Sequence, residues 1–579
     1  MYSKHKDAPP ADTVKRIRQI YTSIGLEMEC RIEKHIDGIY SAYIRDPCGG
    51  WNTAGKGTSK AYCIASAYGE SIEHICNHFA FDLSRTEEAA KRHLGFLRYP
   101  DEMLLPIRDV RHVAPEVYRD MDRCFTPDAS NMTLEEVWVR VLGAEETPFT
   151  PYFSVTQQKT VLLPDAILSK LCGSNGGGSG NTPEEAIGHA LDEVIERYAK
   201  YEIIYGQLTP PTVPTEYIQS RCPELFDLIT HIERKSGLSV VVKDASIGKG
   251  YSVICILVID TKCQRYLANF GAHPCFEIAL ERCLTEIFQD HACVDELLKR
   301  EEMTPWENTD ASEIFGLKNW VSLLRDDIGK LPDSLFGVCS TWDFMPWPIY
   351  AQYTNQIGMR HQLEILQKNG MDVYIRNNSF LGFPVYRIYI PFASTSHLRY
   401  DQAMVEEMEV GDQIYAYLEY GISHEQKQRL CSRCFGPDRF MLEMTLRNWD
   451  AEGLLLLYAA ALFDIGHPFE AYAVLTESTS PEALFLRRYI ELTNSQSTDR
   501  DELLRRFFGT AATAWLDALT RGNAFSIVQQ YCAQHGLIKT KQSTLGATSA
   551  SRDALYMRVK EAFQNVPIDQ TDTAGLVLP

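Results

Sequence analysis

Short apolar runs bounded by turn formers recur along the first 400 residues. "GIYSAYIRD" (Gly38–Asp46), "LSVVVKDAS" (Leu238–Ser246), "YSVICILVID" (Tyr251–Asp260), "MDVYIRNNS" (Met371–Ser379) and "FPVYRIYIPF" (Phe383–Phe392) are rich in β-branched and aromatic residues and read as strands. Between them the apolar positions change to helical spacing around residues 59–80, 183–205 and 275–300. This interleaving predicts a large mixed α/β domain over 1–400, with an N-terminal part (1–150) and a core (151–400). Beyond Asp401 the strand signal stops. "WDAEGLLLLYAAALFDIGHPFEAYAVLTE" (Trp449–Glu477) sets apolar residues at helical spacing on both sides of a Gly-His-Pro break at 466–468, a hairpin of the tetratricopeptide kind. With helices expected at 481–493, 501–521 and 552–564, residues 401–565 read as an all-α, helical-repeat-like domain, followed by a flexible tail at 566–579. The fold class expected is α+β.

One polar pattern stands out against this frame. "SNGGGSGNTPEEAIGHALDEVIERY" (Ser174–Tyr198) is a glycine-rich loop running into a helix loaded with Glu184, Glu185, Asp192, Glu193 and Glu196. An acidic helix face is ordinarily just solvated. Here the pattern returns. Counting from Gly57 in "GTSKAYCIASAYGESIEH" and from Gly180 in "GNTPEEAIGHALDEVIER", Glu stands thirteen residues on (Glu70, Glu193) and again sixteen on (Glu73, Glu196). "CLTEIFQ", within Ala279–Asp290, repeats the core of the motif at Glu286. At about 100° per residue, Glu185, Glu193 and Glu196 share one quadrant of their helix, with Ile187, Leu191, Val194 and Tyr198 opposite. Three such helices packed by their apolar faces would bring Glu70, Glu73, Glu193, Glu196 and Glu286 together. Carboxylates at that range repel unless cations lie between them, and hard oxygen ligands suit Mg2+.

Composition narrows the partners. A chain of 579 residues is long enough for about two to four domains. Its 57 Lys+Arg against 77 Asp+Glu leave a formal charge of −20, which argues against a direct nucleic-acid ligand. The longest apolar run, Gly453–Phe463, is too short to span a bilayer, and the N-terminus lacks a signal-peptide core, so no membrane partner is expected. Sixteen scattered cysteines suit a reducing cytoplasm, and the lone Cys431–Cys434 pair reads as free thiols because no second ligand pair follows.

The loops before the helices fit a phosphate site. "GWNTAGKG" (Gly50–Gly57) falls short of a Walker loop because Gly57 stands where Ser or Thr should be, yet as a basic, flexible segment it could bring Lys56 to a phosphate. The second loop has no lysine, so its backbone amides with Asn175 or Asn181 would serve phosphate or sugar. His273 in "FGAHP" reads as a base or a turn residue, with Pro274 favouring the turn. Cys172 and Cys275 would be nucleophiles only beside a basic partner, and none is evident.

"SNG…GNT…EA…LxExxER", with "GKG…SAxGExxE" before it and "FGAHP…ALERxxTE" after it, resembles the YcaO family of ATP-dependent amide-activating enzymes through most of the first 400 residues. The helical tail resembles that of long bacterial members, associated as accessory factors with β-methylthiolation of a small-subunit ribosomal protein. The resemblance implies ATP and Mg2+ as cofactors, with Glu70, Glu73, Glu193, Glu196 and Glu286 at the metals. Ser66, Asn181, Glu185, Arg197 and Arg282 would contact nucleotide or its phosphates, and Lys56 with them. It further implies a peptide or protein substrate, a homodimer, and a partner protein met through the tail. In the family's chemistry a nucleophile adds to a backbone carbonyl, the oxyanion takes the γ-phosphoryl of ATP, and phosphate departs with the oxygen.

Two departures bear on that picture. His74 replaces an Arg at the end of the first motif and reads as a cation at the helix end. The chain ends "GLVLP" rather than in the proline-rich signature of azoline-forming members, which points away from a standard cyclodehydratase. The alternative reading is a non-catalytic accessory or scaffold protein for ribosomal protein modification, acting through the helical tail.

Overall fold

The structure, a computed structural model, describes residues 5–36, 39–45, 52–79, 99–125, 132–142, 144–287, 303–306, 311–325, 328–398, 422–433, 451–534 and 561–562. It divides into two compact units, one of Met1–Cys124, Ala144–Arg399 and Thr548–Pro579, the other of Phe125–Gly143 and Tyr400–Ala547. Among the described residues no helix is long and apolar enough to cross a membrane.

The first unit is α+β, and its strands pair antiparallel throughout. Helix α1 (Pro10–Ser23) precedes a three-stranded sheet of β1 (Glu29–Ile36), β2 (Ile39–Arg45) and β3 (Asn52–Gly57), which leads into α2 (Lys60–Cys76). A six-stranded sheet follows from β4 (Met103–Pro106), β5 (Glu146–Ser154) and β6 (Lys159–Pro164). After α3 (Asp165–Cys172) come β7 (Gly177–Ser179) and the long helix α4 (Pro183–Tyr205). Strands β8 (Ser239–Asp244), β9 (Val253–Asp260) and β10 (Arg265–Ala272) lead into α5 (Phe276–Glu286) and pair, with β11 (Thr304–Pro305), in the order β11-β10-β9-β8. Helix α6 (Asn355–Lys368), β12 (Tyr374–Asn377) and β13 (Val385–Tyr389) complete the unit, and the larger sheet runs β4-β5-β12-β13-β7 with β6 on β5.

Helix α4 packs on β7 and β13 of one sheet, on β10 of the other, and on α6. Its burial follows from sequence: Ala186, Ile187, Ala190, Leu191, Val194, Ala199 and Ile203 are completely enclosed, so both sides of the helix find apolar partners. Helix α2 packs on β2, β3 and β7, and α5 on β9, β10 and β3. The three acidic helices thus converge through the strands they share. All five predicted strands and the helices at 59–80 and 183–205 are present, while the third ends at Glu286 with residues 288–300 outside the described region.

In the second unit the predicted hairpin is Ala451–Asp464 and Pro468–Val474, followed by Pro481–Asn494. The single helix expected over 501–521 is instead two, Arg500–Phe508 and Ala511–Thr520. Gly509 at φ 64 is left-handed and ends the first of them. Helix Phe525–Gln534 was not predicted. The helix expected at 552–564 lies outside the described residues except at 561–562, as do Cys434 and the tail at 566–579.

Candidate functional site

Both leading helices start at a hydroxyl cap. The Ser59 side chain accepts from the Tyr62 N–H and opens α2; the Thr182 side chain accepts from the Glu185 N–H and opens α4, with Pro183 in the first turn. The caps fall two residues after Gly57 and two after Gly180, which puts the matched glutamates at equal depth along the two helices.

Glu73 of α2 is the focus. It is buried, and burial pushes its carboxyl well above the usual range, with the neighbouring Glu193 and Glu70 carboxylates adding to the rise. Arg197 and the Ser179 N–H pull the other way. Glu193 is raised by burial too, and is pulled back by Arg197, the Gly176 N–H and Lys56. Glu70, Glu73 and Glu193 are therefore within electrostatic reach of one another, from two helices.

Cations border this group. Arg197 meets Glu193 at 2.8 Å across one helical turn. Lys56 of β3 pairs with Glu286 of α5 and also acts on Glu193. Arg282 of α5 donates to Asp192 Oδ2 at 2.9 Å and to the Ala272 carbonyl at 2.7 Å. The Ala272 N–H in turn donates to Glu196 Oε2 at 3.0 Å. At the start of α4, Glu185 receives the Lys6 ammonium at 3.1 Å, the Asp7 N–H at 3.0 Å and the Asn181 amide. Burial raises Glu185, but these partners outweigh it and hold the carboxyl below the usual range.

Among the described residues no three His, Cys, Asp or Glu side chains close on one point as a metal site would. The donor set nevertheless fits a hard divalent cation. It is all carboxylate oxygen, and Glu73 is held beside two like charges in a buried setting, an arrangement a cation relieves.

Of the residues expected at the site, Glu70, Glu73, Glu193 and Arg197 come together, and Lys56 links Glu286 to them. Glu196 faces the end of β10, and Asn181 with Glu185 lies at the α4 N-terminus beside Lys6, Asp7 and Thr13, whose Oγ1 donates to Asn181 Oδ1 at 2.8 Å. Ser66 is exposed on α2, and among the described residues no hydrogen bond or ion pair joins it to the others.

Several expectations are corrected. The glycine run is not a flexible loop: Gly177–Ser179 is a buried strand paired with β13, because a Cβ at Gly178 would meet the Ala186 carbonyl at 2.3 Å and one at Gly180 the Ala186 nitrogen at 2.5 Å. Its amides at Gly176 and Ser179 serve Glu193 and Glu73, and Asn175 is buried with its amide on the Ser394 carbonyl at 2.9 Å. Likewise "NTAGKG" is strand β3 rather than a mobile segment, because a Cβ at Gly55 would lie 2.1 Å from the Ala67 nitrogen of α2. His74 stands in the last turn of α2 before Asn77, with Nε2 3.9 Å from Glu70 Oε1 and its ring edge-on to Phe79, and burial pulls its imidazole down to about 4.

His273 is occupied on both nitrogens. Nδ1 accepts the Cys275 N–H at 2.9 Å and Nε2 lies 3.3 Å from Tyr353 Oη. The Cys275 thiol is pushed up to about 12 by burial, and Cys172 rises for the same reason, so neither is an activated nucleophile.

Sequence reading assigned no role to Lys6 or Asp192. Asp192 is buried, accepts from Gln362 at 2.7 Å as well as from Arg282, and rises to about 6 through burial despite those partners. Its place in the acidic run was visible; its burial was not. Lys6 gave no local signal, since its partner is at position 185.

A family model described as YcaO cyclodehydratase, ATP- and Mg2+-binding, matches residues 54–394, more than half of the chain. The ribosomal protein S12 methylthiotransferase accessory factor YcaO of Escherichia coli K12 is 29% identical over 391 residues, 67% of this chain and 65% of that protein. An uncharacterized protein of Haemophilus influenzae Rd is 29% identical over 392 residues with the same coverages. The match thus spans 65% of the length of these relatives. Among solved structures, a heterocyclase in complex with substrate and cofactor aligns with a TM-score of 0.47 at 17% identity, over 67% of this chain and 52% of that one. YcaO from Methanopyrus kandleri bound with AMPPCP and Mg2+ aligns with a TM-score of 0.42 at 19% identity, over 67% and 91%. The chain is a member of the ATP- and Mg2+-binding YcaO family.

Proposed function

We propose that this protein uses Mg-ATP to phosphorylate, and so activate, a backbone amide of a peptide or protein. The observation that supports it best is Glu73, raised by burial and then by Glu193 and Glu70, with Arg197 acting on it and Lys56 on Glu193. Glu70, Glu73 and Glu193 would hold Mg2+, with Glu196 and Glu286 beside them. The ion, when bound, neutralises charge on the transferring phosphoryl group. The protein's own part is electrostatic positioning. Arg197 and Arg282 offer planar donor forks to phosphate oxygens, and Lys56 and Lys6 offer point charges. Asp192 and the Ala272 carbonyl fix the Arg282 fork before any ligand arrives. Glu185 and Asn181 would meet the nucleotide at the N-terminus of α4, and Ser66 on α2. The substrate is a polypeptide whose carbonyl oxygen accepts the γ-phosphoryl group.

The finer role we infer is support of ribosomal protein β-methylthiolation, on the strength of the name of the Escherichia coli relative. That same name, accessory factor, favours the second reading, a non-catalytic scaffold acting through the helical tail. Calorimetry with AMPPCP, with and without Mg2+, beside Glu193→Gln tests the first. Magnesium-dependent binding lost in the variant is expected. Wild-type protein that binds no nucleotide overturns the enzyme reading and leaves the scaffold.

A further inference from the structure

His189 has no part in the site as described, yet it stands in its middle. It is one turn after Glu185 and one turn before Glu193 on α4, so the three side chains share a face. The cations on either side are anchored to its helical neighbours: Lys6 to Glu185 at 3.1 Å, Arg282 to Asp192 at 2.9 Å. Lys6, Lys56 and Arg282 all act on the imidazole and, after burial itself, are what drive it toward the neutral form. Its Nδ1 is sealed from solvent and, among the described residues, has no hydrogen-bond partner. A buried orphan N–H is rarer in proteins than an under-used acceptor. The proton of the neutral ring therefore belongs on Nε2, and Nε2–H is the donor left for a ligand.

A neutral donor within electrostatic reach of three cations has one obvious complement, a polyanion. We propose that His189 is a phosphate-binding residue of this protein, its Nε2–H donating to a phosphate oxygen of the bound nucleotide between Lys6, Lys56 and Arg282. This rests on the nucleotide reading above and adds to it which part of the nucleotide lies over the middle of α4. Neutrality suits the task. A donor that is uncharged keeps its hydrogen bond without adding a fourth positive charge to a crowded cluster.

The test is binding of AMPPCP, inorganic tripolyphosphate and adenosine, each with Mg2+, to the wild-type chain, His189→Ala and His189→Gln. The side-chain nitrogens are followed by NMR after selective histidine labelling, with His189→Gln supplying the assignment. Losing a hydrogen bond to a charged group should weaken AMPPCP and tripolyphosphate about tenfold or more in His189→Ala, with adenosine unchanged. His189→Gln, which retains an N–H donor, should recover part of the loss, and AMPPCP should shift the wild-type Nε2 signal. If the wild type binds AMPPCP but its His189 signals stay still, the inference is wrong while the nucleotide reading survives, even where the alanine variant folds poorly. Equal weakening of adenosine would also overturn it. Wild-type chain that binds neither AMPPCP nor tripolyphosphate sinks both readings.

Discussion

A Cβ built on Gly177 would stand 2.6 Å from Glu73 Oε1. The glycine of β7 and the buried carboxylate of α2 are therefore fitted to each other. The missing side chain is the space that Glu73 occupies, and the Ser179 N–H two residues on meets the same carboxyl. A glycine run that looks like a phosphate loop instead shapes the carboxylate group.

Gly177→Ala should therefore impair metal-dependent binding as well as folding. The added methyl also meets Phe79 Cε2 at 2.9 Å, so a stability loss of about 1–3 kcal/mol is expected, as for other overpacked sites. Displacing Glu73 should cost at least about tenfold in AMPPCP affinity with Mg2+. Calorimetry beside a thermal melt checks both, and unchanged affinity in a folded variant would show that Glu73 need not hold its place.

The pH dependence of the ligand-free protein follows from Glu73. Its folded value lies above the unfolded one, chiefly through burial and then through Glu193 and Glu70. Its favourable contribution is complete below the ordinary carboxylate range, near pH 4, where both states are protonated. It is lost as pH rises through the raised folded value and the buried carboxyl ionises. Glu73→Gln should thus melt higher than wild type at about pH 8, with the difference shrinking toward about pH 4, while Mg2+-dependent AMPPCP binding is abolished. A variant less stable than wild type at the higher pH would count against mutual repulsion in the group.

Much of this was legible in the sequence. The repeated spacing of Glu70 and Glu73 against Glu193 and Glu196 survives into space because two hydroxyl caps start both helices at the same point relative to their glycines. Strand β5 was hidden by Pro148 and Pro151, residues that ordinarily argue against a paired strand. Strands β3 and β7 were hidden by glycine, whose value there is close backbone approach, at 2.1 Å for a Cβ at Gly55, and not freedom. The Lys6–Glu185 and Arg282–Asp192 pairs join residues far apart in the chain, so no local pattern announces them. Burial decided the remaining corrections. It lowers the His74 imidazole and raises the Cys275 thiol, and a single sequence does not state burial.

Cysteine reactivity offers a separate check that Cys172 and Cys275 are not nucleophiles. Cys172 and Cys275 are buried with raised thiols, whereas Cys263 and Cys339 are exposed. Brief iodoacetamide treatment of the folded protein, read by peptide mass spectrometry, should label Cys263 and Cys339 before Cys172 and Cys275, which are left for the denatured chain. Early labelling of Cys275 would reopen a nucleophilic role beside His273.

In the helical unit Asp464 closes the apolar run that first suggested a hairpin, and it does more than end it. Its carboxylate is completely buried, pairs with Lys427 at 2.6 Å, and accepts the Ala524 and Phe525 N–H groups at 2.7 and 3.3 Å at the start of helix Phe525–Gln534. Asp464→Ala removes the cap and leaves a nearly buried ammonium without its counter-charge, at about 3–5 kcal/mol. Amide exchange of Ala524 and Phe525, followed by mass spectrometry, should quicken at least about tenfold. Lys427→Met in the same background removes the stranded charge and should restore part of the stability but not the slow exchange of those two amides, which still lack their acceptor. If the double variant is no more stable than Asp464→Ala alone, the ion pair contributes little, and the carboxylate acts at this junction as a helix cap only.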